Sequence, residues 1–168
     1  EAITKWAGIN DIEIVNKLSN SKYVEQRVLA SKISLRLGQE KLEIIDKLCI
    51  DKDIAVRIAG WESKFQADSD KIDELILEGL KSKDKTIRKI TINKLTQMKN
   101  LDTQIIISAL QDDSYAVRKA ALEIIKNDSK LSEMDIFDDY LLEMSDSDTK
   151  KEINGVIKIL VKKSLENQ

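Results

Sequence analysis

A leucine, a short polar stretch of Asp, Ser and Lys, a hydrophobic residue and an arginine, followed by an apolar run with helical spacing, recur along this chain about every 30 residues. Four copies are clear: Leu18 to Arg27, Leu48 to Arg57, Leu80 to Arg88 and Leu110 to Arg118. A degenerate fifth runs from Leu142 to Lys150, and the leucines that open the copies lie 30, 32, 30 and 32 residues apart. A period this regular constrains the fold more than any single residue. It predicts a stack of similar units, each too small to bury its apolar face alone.

Each unit reads as two amphipathic helices. The first helices span residues 9–18, 41–49, 72–80, 102–110 and 133–144, and the second helices begin at Val24, Ile54, Thr86, Tyr115 and Asp148. In the third unit Ile72, Leu75, Ile76 and Leu80 fall at i, i+3, i+4 and i+8, one buried stripe of a helix. β-Branched residues follow the helical period rather than alternating, which argues against strands. The expected architecture is all-α: one domain over 1–168, an α-solenoid with a right-handed superhelix, built of helix pairs at about 9–37, 39–67, 70–99, 102–128 and 132–165.

Counting back four positions from each Arg or Lys gives Tyr23, Asp53, Asp84, Ser114 and Asp146. Asp and Ser at such a position accept hydrogen bonds from the free amides of the first turn, and a carboxylate there favours the positive end of the helix dipole. The arginine one turn later shares that face, within reach of its own Asp or of the next repeat's. Asp53, Arg57, Asp84, Arg88, Ser114 and Arg118 are therefore expected to form a structural ladder that sets the register between units, with Arg27 in the same role.

Composition restricts function mainly by what is missing. The chain has no histidine and one cysteine, Cys49, which excludes imidazole-based triads, histidine-ligated metals and cysteine-cluster metal sites within it. Its five glycines are scattered, with no phosphate-cradling loop. No enzyme activity, cofactor or metal is expected. Only 4% of residues are aromatic against 42% hydrophobic, so the core must be aliphatic, with Cys49 as one of its small apolar members. Basic and acidic side chains number 28 and 30, a balance that gives no global attraction to nucleic acid or to an anionic membrane. No apolar run approaches the length needed to cross a bilayer, and nothing at the start resembles a signal peptide. A lone cysteine points to a reducing compartment, and the expected location is the cytoplasm. The first residue is Glu1 rather than Met, which fits an excised or processed segment.

The junctions Asp53-Ile54-Ala55-Val56-Arg57-Ile58-Ala59-Gly60 and Asp113-Ser114-Tyr115-Ala116-Val117-Arg118-Lys119-Ala120-Ala121 resemble the D-x-x-V-R-x-A-A pattern of the HEAT family, in its short repeats of about 30 residues. The resemblance covers nearly the whole chain. It departs from the family in having no proline, Tyr23 at the first capping position and Lys150 in place of the last arginine, departures that fit terminal capping repeats. Asp135, Asp138, Asp139, Asp146 and Asp148 give the C-terminal end the polar character such a cap needs. The resemblance implies that second helices line a concave surface that recognises a macromolecule.

On that surface the candidate positions are Glu25 and Lys32; Glu62 and Lys64; Lys89, Asn93 and Gln97; Lys119, Glu123 and Lys126; Lys151 and Lys158. The strongest candidates are Trp61, Lys64, Lys89, Asn93, Lys119 and Glu123. Trp61 is an edge anchor if its helix buries Val56, Gly60 and Lys64, and a core residue if the stripe is Ile54, Ile58, Trp61 and Phe65; the second is preferred. Trp6 and Tyr115 are weaker aromatic candidates. The expected function is a non-enzymatic scaffold for a protein or peptide partner. The alternative is nucleic-acid binding of the kind found in HEAT-like alkylpurine DNA glycosylases, with Trp61, Glu62 and Arg57 supplying an aromatic, a carboxylate and a cation. A structural subunit of a larger assembly is a further option.

Overall fold

The computed structural model describes residues 11–37, 41–98 and 103–127. Among these every regular element is helical: eight α-helices, two 3-10 turns and no strand. The α-helices are α1 (Ile12–Ser19), α2 (Val24–Ser34), α3 (Lys41–Cys49), α4 (Ile54–Ala67), α5 (Ile72–Leu80), α6 (Lys85–Ile92), α7 (Thr103–Leu110) and α8 (Tyr115–Asn127). The 3-10 turns cover Ser69–Lys71 and Leu95–Gln97. The fifth helix pair, the polar C-terminal end, Trp6, Lys151 and Lys158 lie outside the described residues.

The chain divides into two compact units, Glu1–Leu75 and Ile76–Gln168, with the division falling inside α5. In the first unit α1 packs on α2, α3 on α4, and α2 directly on α4, so both second helices share one contact. Val15, Ala30, Ile33, Leu37, Ile44, Leu48 and Val56 form its aliphatic core, with Ile12, Leu18, Val24, Val28 and Leu29 packed around them. Close approach of α3 and α4 depends on Gly60: a Cβ there would lie 2.7 Å from the Cys49 amide nitrogen and 2.8 Å from the Leu48 carbonyl carbon. Cys49, a thiol outside any disulfide, is buried in the same contact. A second, polar tie joins α2 to α4, where the buried Ser31 hydroxyl donates to the Ala59 carbonyl oxygen at 2.7 Å and lies 2.8 Å from the Ser63 hydroxyl.

In the second unit α8 packs on both α6 and α7. Ile87, Ile92, Leu95, Ile106, Leu110, Leu122 and Ile125 are fully buried, an Ile- and Leu-rich core that follows from the scarcity of aromatic residues. The sequence predicts a second helix running from Thr86 to Met98, but α6 stops at Ile92 and is followed by the 3-10 turn. The cause is local. Thr86, Ile87, Ile90, Thr91 and Ile92 are β-branched and weak helix formers. Asn93 then caps the helix, its amide donating to the Lys89 and Thr91 carbonyls, and the fully buried Leu95 anchors the turn.

Candidate functional site

The recurrent arginines clasp the loops that precede them. Arg27 Nη1 donates to the Ser21 carbonyl at 2.8 Å, Arg57 Nη1 to Asp51 and Lys52 at 2.8 and 2.9 Å, Arg88 Nη1 to Ser82 and Lys83 at 3.0 and 3.3 Å, and Arg118 Nη1 to Asp112 and Asp113 at 2.9 and 3.1 Å. Each guanidinium thus satisfies the carbonyl six residues before it, and those of Arg57, Arg88 and Arg118 also the one five before. The residue six before each arginine, Ser21, Asp51, Ser82 or Asp112, accepts the amide two residues on and tightens the turn. Asp53 and Asp84 then cap α4 and α6 through their side chains, accepting from the Ala55 and Thr86 amides at 2.9 Å each. Tyr23 makes no side-chain cap, and Ser114 opens α8 with its carbonyl, which accepts from Val117 and Arg118.

Two of the arginines reach forward as well. Arg27 grips Asp51 with Nε and Nη2 at 2.8 and 3.0 Å, and Arg88 grips Asp112 in the same bidentate manner at 2.7 and 2.9 Å. Arg88 also pairs with Asp113. One such pair lies in each unit, and in both the carboxylate sits six residues before the next arginine rather than at the capping position that sequence reasoning emphasised. Burial pushes the Asp51 carboxyl up, but the Arg27 guanidinium and the Asp53 amide outweigh it and hold it below the ordinary value. Asp112 follows the same balance, with Arg88 and the Ser114 amide overcoming desolvation. The carboxylates raise Arg27 and Arg88 in turn. These residues form joints.

Two open depressions follow the seam between α6 and α8 in the second unit. The larger, about 580 Å³, is lined by Lys85, Thr86, Lys89, Asp113, Ser114, Tyr115 and Ala116. The smaller, about 270 Å³, is lined by Asn93, Thr96, Ala120, Glu123, Ile124 and Asn127. Lys89, Asn93 and Glu123, three of the candidates from sequence, are brought together here. Lys119 is exposed on α8 but lines neither depression. Tyr115, a weaker candidate from sequence, also lines the larger depression; Lys85, Thr96 and Ile124 were missed, although Lys85 precedes Lys89 by one helical turn and could have been found by extending the Lys89–Asn93 stripe backwards.

The first unit places its candidates differently. Trp61 is 6% exposed and packs its ring against Phe65 at a centroid distance of 5.7 Å, so it is a core residue and not a surface anchor. α4 buries both proposed stripes in part: Val56, Ala59, Gly60 and Ser63 face inward together with Trp61 and Phe65, while Ile54 is exposed. Lys64 is also not a free surface cation. Its ammonium pairs with Asp46 at 3.0 Å and stands 5.2 Å from the centre of the Trp61 ring. With Trp61 buried and Arg57 committed to its loop carbonyls, the Trp61, Glu62 and Arg57 set does not present a base-recognition site. Glu25, Lys32 and Glu62 are exposed, Gln97 falls in the 3-10 turn, and Lys126 lies 3.7 Å from Glu123.

Among the described residues no group of His, Cys, Asp and Glu could hold a metal ion, and no helix is long and apolar enough to cross a membrane. No protein-family model matches the chain, and no curated protein matches it either. A crystal structure of YibA from Escherichia coli is similar, with a TM-score of 0.59 and 20% sequence identity over 90% of this chain and 60% of YibA. The chain thus spans about 60% of the length of that protein, and the likeness is one of all-helical fold.

Proposed function

We propose that this chain is a non-enzymatic interaction scaffold, a solenoid of short HEAT-like helix pairs that holds a protein partner along its second helices. The observation that carries this reading is the seam between α6 and α8, where Lys89, Asn93 and Glu123 line consecutive open depressions on two second helices that pack directly together. An extended, shallow, mixed surface suits a peptide or a protein face better than a small-molecule substrate, which calls for an enclosed and mostly apolar cleft. The arginine clasps support the same reading by giving each junction a rigid, repeated geometry, as a binding surface assembled from successive units requires. Asp113 and Glu123 line the same depressions, which disfavours a phosphate backbone tracking along them.

The test is affinity capture from native lysate by the tagged full-length chain, with and without nuclease, beside a Lys89→Glu/Asn93→Asp variant. A protein retained after nuclease and lost with the variant supports the scaffold reading. Recovery that vanishes with nuclease, together with duplex binding that weakens steeply with salt, overturns it.

A further inference from the structure

Charge is distributed unevenly along the chain. Its net charge is −2, yet residues 76–98 and 103–127 carry nine Lys and Arg against five Asp and Glu. The acids in this part are occupied: Asp84 caps α6, Asp112 and Asp113 face Arg88, Glu123 sits beside Lys126, and Glu78 also has a partner. Two lysines differ from these acids. Lys85 and Lys89, both exposed on one stripe of α6, have no anionic partner among the described residues, and both line the larger depression. Two solvated ammonium groups one turn apart thus stand at the mouth of a groove without forming an ion pair among the described residues, Asp113 on the same rim being paired with Arg88.

The groove changes character along its length. Beyond the lysines its α8 wall offers Ala116 and Ala120, then Ile124, with Ala120 and Ile124 each 8% exposed. Its far end is uncharged and polar on the α6 side, with Asn93 and Thr96, and closes on Asn127. From Ala116 to Asn127 the helix rises roughly 16 Å, the reach of about five residues of extended chain. Small side chains at Ala116 and Ala120 leave room for a backbone or an aliphatic group to approach α8. The Asp113 carboxylate on the rim is held by Arg88, so its repulsion of an incoming anion is compensated locally.

We propose that the α6–α8 groove binds a short extended acidic peptide segment, whose carboxylates sit at Lys85 and Lys89 and whose following aliphatic side chain lies over Ala116 and Ala120. This rests on the scaffold reading and specifies its partner. A peptide is favoured over nucleic acid because the cations are confined to one end, while Glu123 faces the other.

The test is a titration of the isotope-labelled full chain, followed by amide chemical shifts, with three probes: a capped heptapeptide of glutamates followed by leucine, alanine and asparagine, the same peptide with glutamine for glutamate, and a ten-residue oligothymidylate. The acidic peptide is expected to shift amides of α6 and α8 and to bind at least about tenfold more tightly than its glutamine counterpart, with an advantage that shrinks as salt rises. Lys85→Gln/Lys89→Gln, with its circular dichroism unchanged, is expected to erase that advantage. Equal binding of the two peptides in the groove overturns the acidic specificity and leaves the scaffold reading standing. Preferential binding of the oligonucleotide there overturns both. Absence of peptide binding at millimolar concentration, or shifts confined to other helices, overturns the inference.

Discussion

Arg27 and Arg88 each do two jobs with one guanidinium, closing their own loop through a pair of backbone contacts or one and fastening the next junction through a carboxylate. Removing such a group leaves carbonyls and a carboxylate without their donor, so the loss exceeds the worth of a surface ion pair. Arg88→Met is expected to lower the unfolding free energy by roughly 3 kcal/mol in urea denaturation, and Arg88→Lys to recover little of it, because one ammonium cannot reproduce the fork. Acid tests the same contact. Asp51 and Asp112 titrate below their ordinary value of 3.8 in the folded chain, so the unfolded chain binds protons first as pH falls. The stability they contribute is complete above the unfolded value and is lost as pH drops through 3.8 towards the folded-state values. Thermal melts of Asp51→Asn/Asp112→Asn between about pH 5 and about pH 2 should therefore show a shallower acid loss than the parent chain, from a lower starting point. The arginines were legible from their spacing alone. Their carboxylates were not, because attention to the helix cap directs the eye to four residues before the arginine. The residue six before alternates Ser21, Asp51, Ser82, Asp112 and looks like ordinary loop composition until the geometry shows what it accepts.

Helix boundaries in this chain follow local chemistry, and helix contacts follow small residues. The apolar stripe of α5 was readable, and Ile72, Leu75 and Ile76 are buried as its spacing requires. The early end of α6 was not, because a continuous helical period over residues 86–98 masks the low propensity of its β-branched run. Glycine marks the tightest contacts, and the neighbours it meets differ in kind. At Gly60 the obstacle is the backbone of Leu48 and Cys49, which cannot move without displacing α3 from α4. Gly60→Ala is expected to cost about 2 kcal/mol, with no single partner change restoring it. At Gly79 the obstacle is the side chain of Thr91, whose hydroxyl is fixed on the Ile87 carbonyl at 2.8 Å. Gly79→Ala alone should destabilise, whereas Gly79→Ala/Thr91→Ala should recover part of the loss, a coupling that a double-mutant cycle reads directly.

At the scale of the whole molecule, one repeat period yields two compact units, each with its own aliphatic core and its own Arg–Asp pair. The period made the all-helical architecture legible, and the absence of histidine directed attention from catalysis to recognition. Position on a helix was enough to bring Lys89, Asn93 and Glu123 to the seam, since residues at helical spacing share a face whatever the surrounding fold. It was not enough for Trp61 and Lys64, because burial at the edge of a stripe depends on what the neighbouring helices supply. The central claim is that the α6–α8 seam is where a protein partner sits. Lysine acetylation footprinting of the full chain, alone and in complex with its captured protein partner, tests it most directly. The account predicts protection of Lys85 and Lys89 with unchanged labelling of the exposed Lys22 and Lys52 of the first unit; protection of Lys22 and Lys52 with Lys85 and Lys89 fully labelled would contradict it.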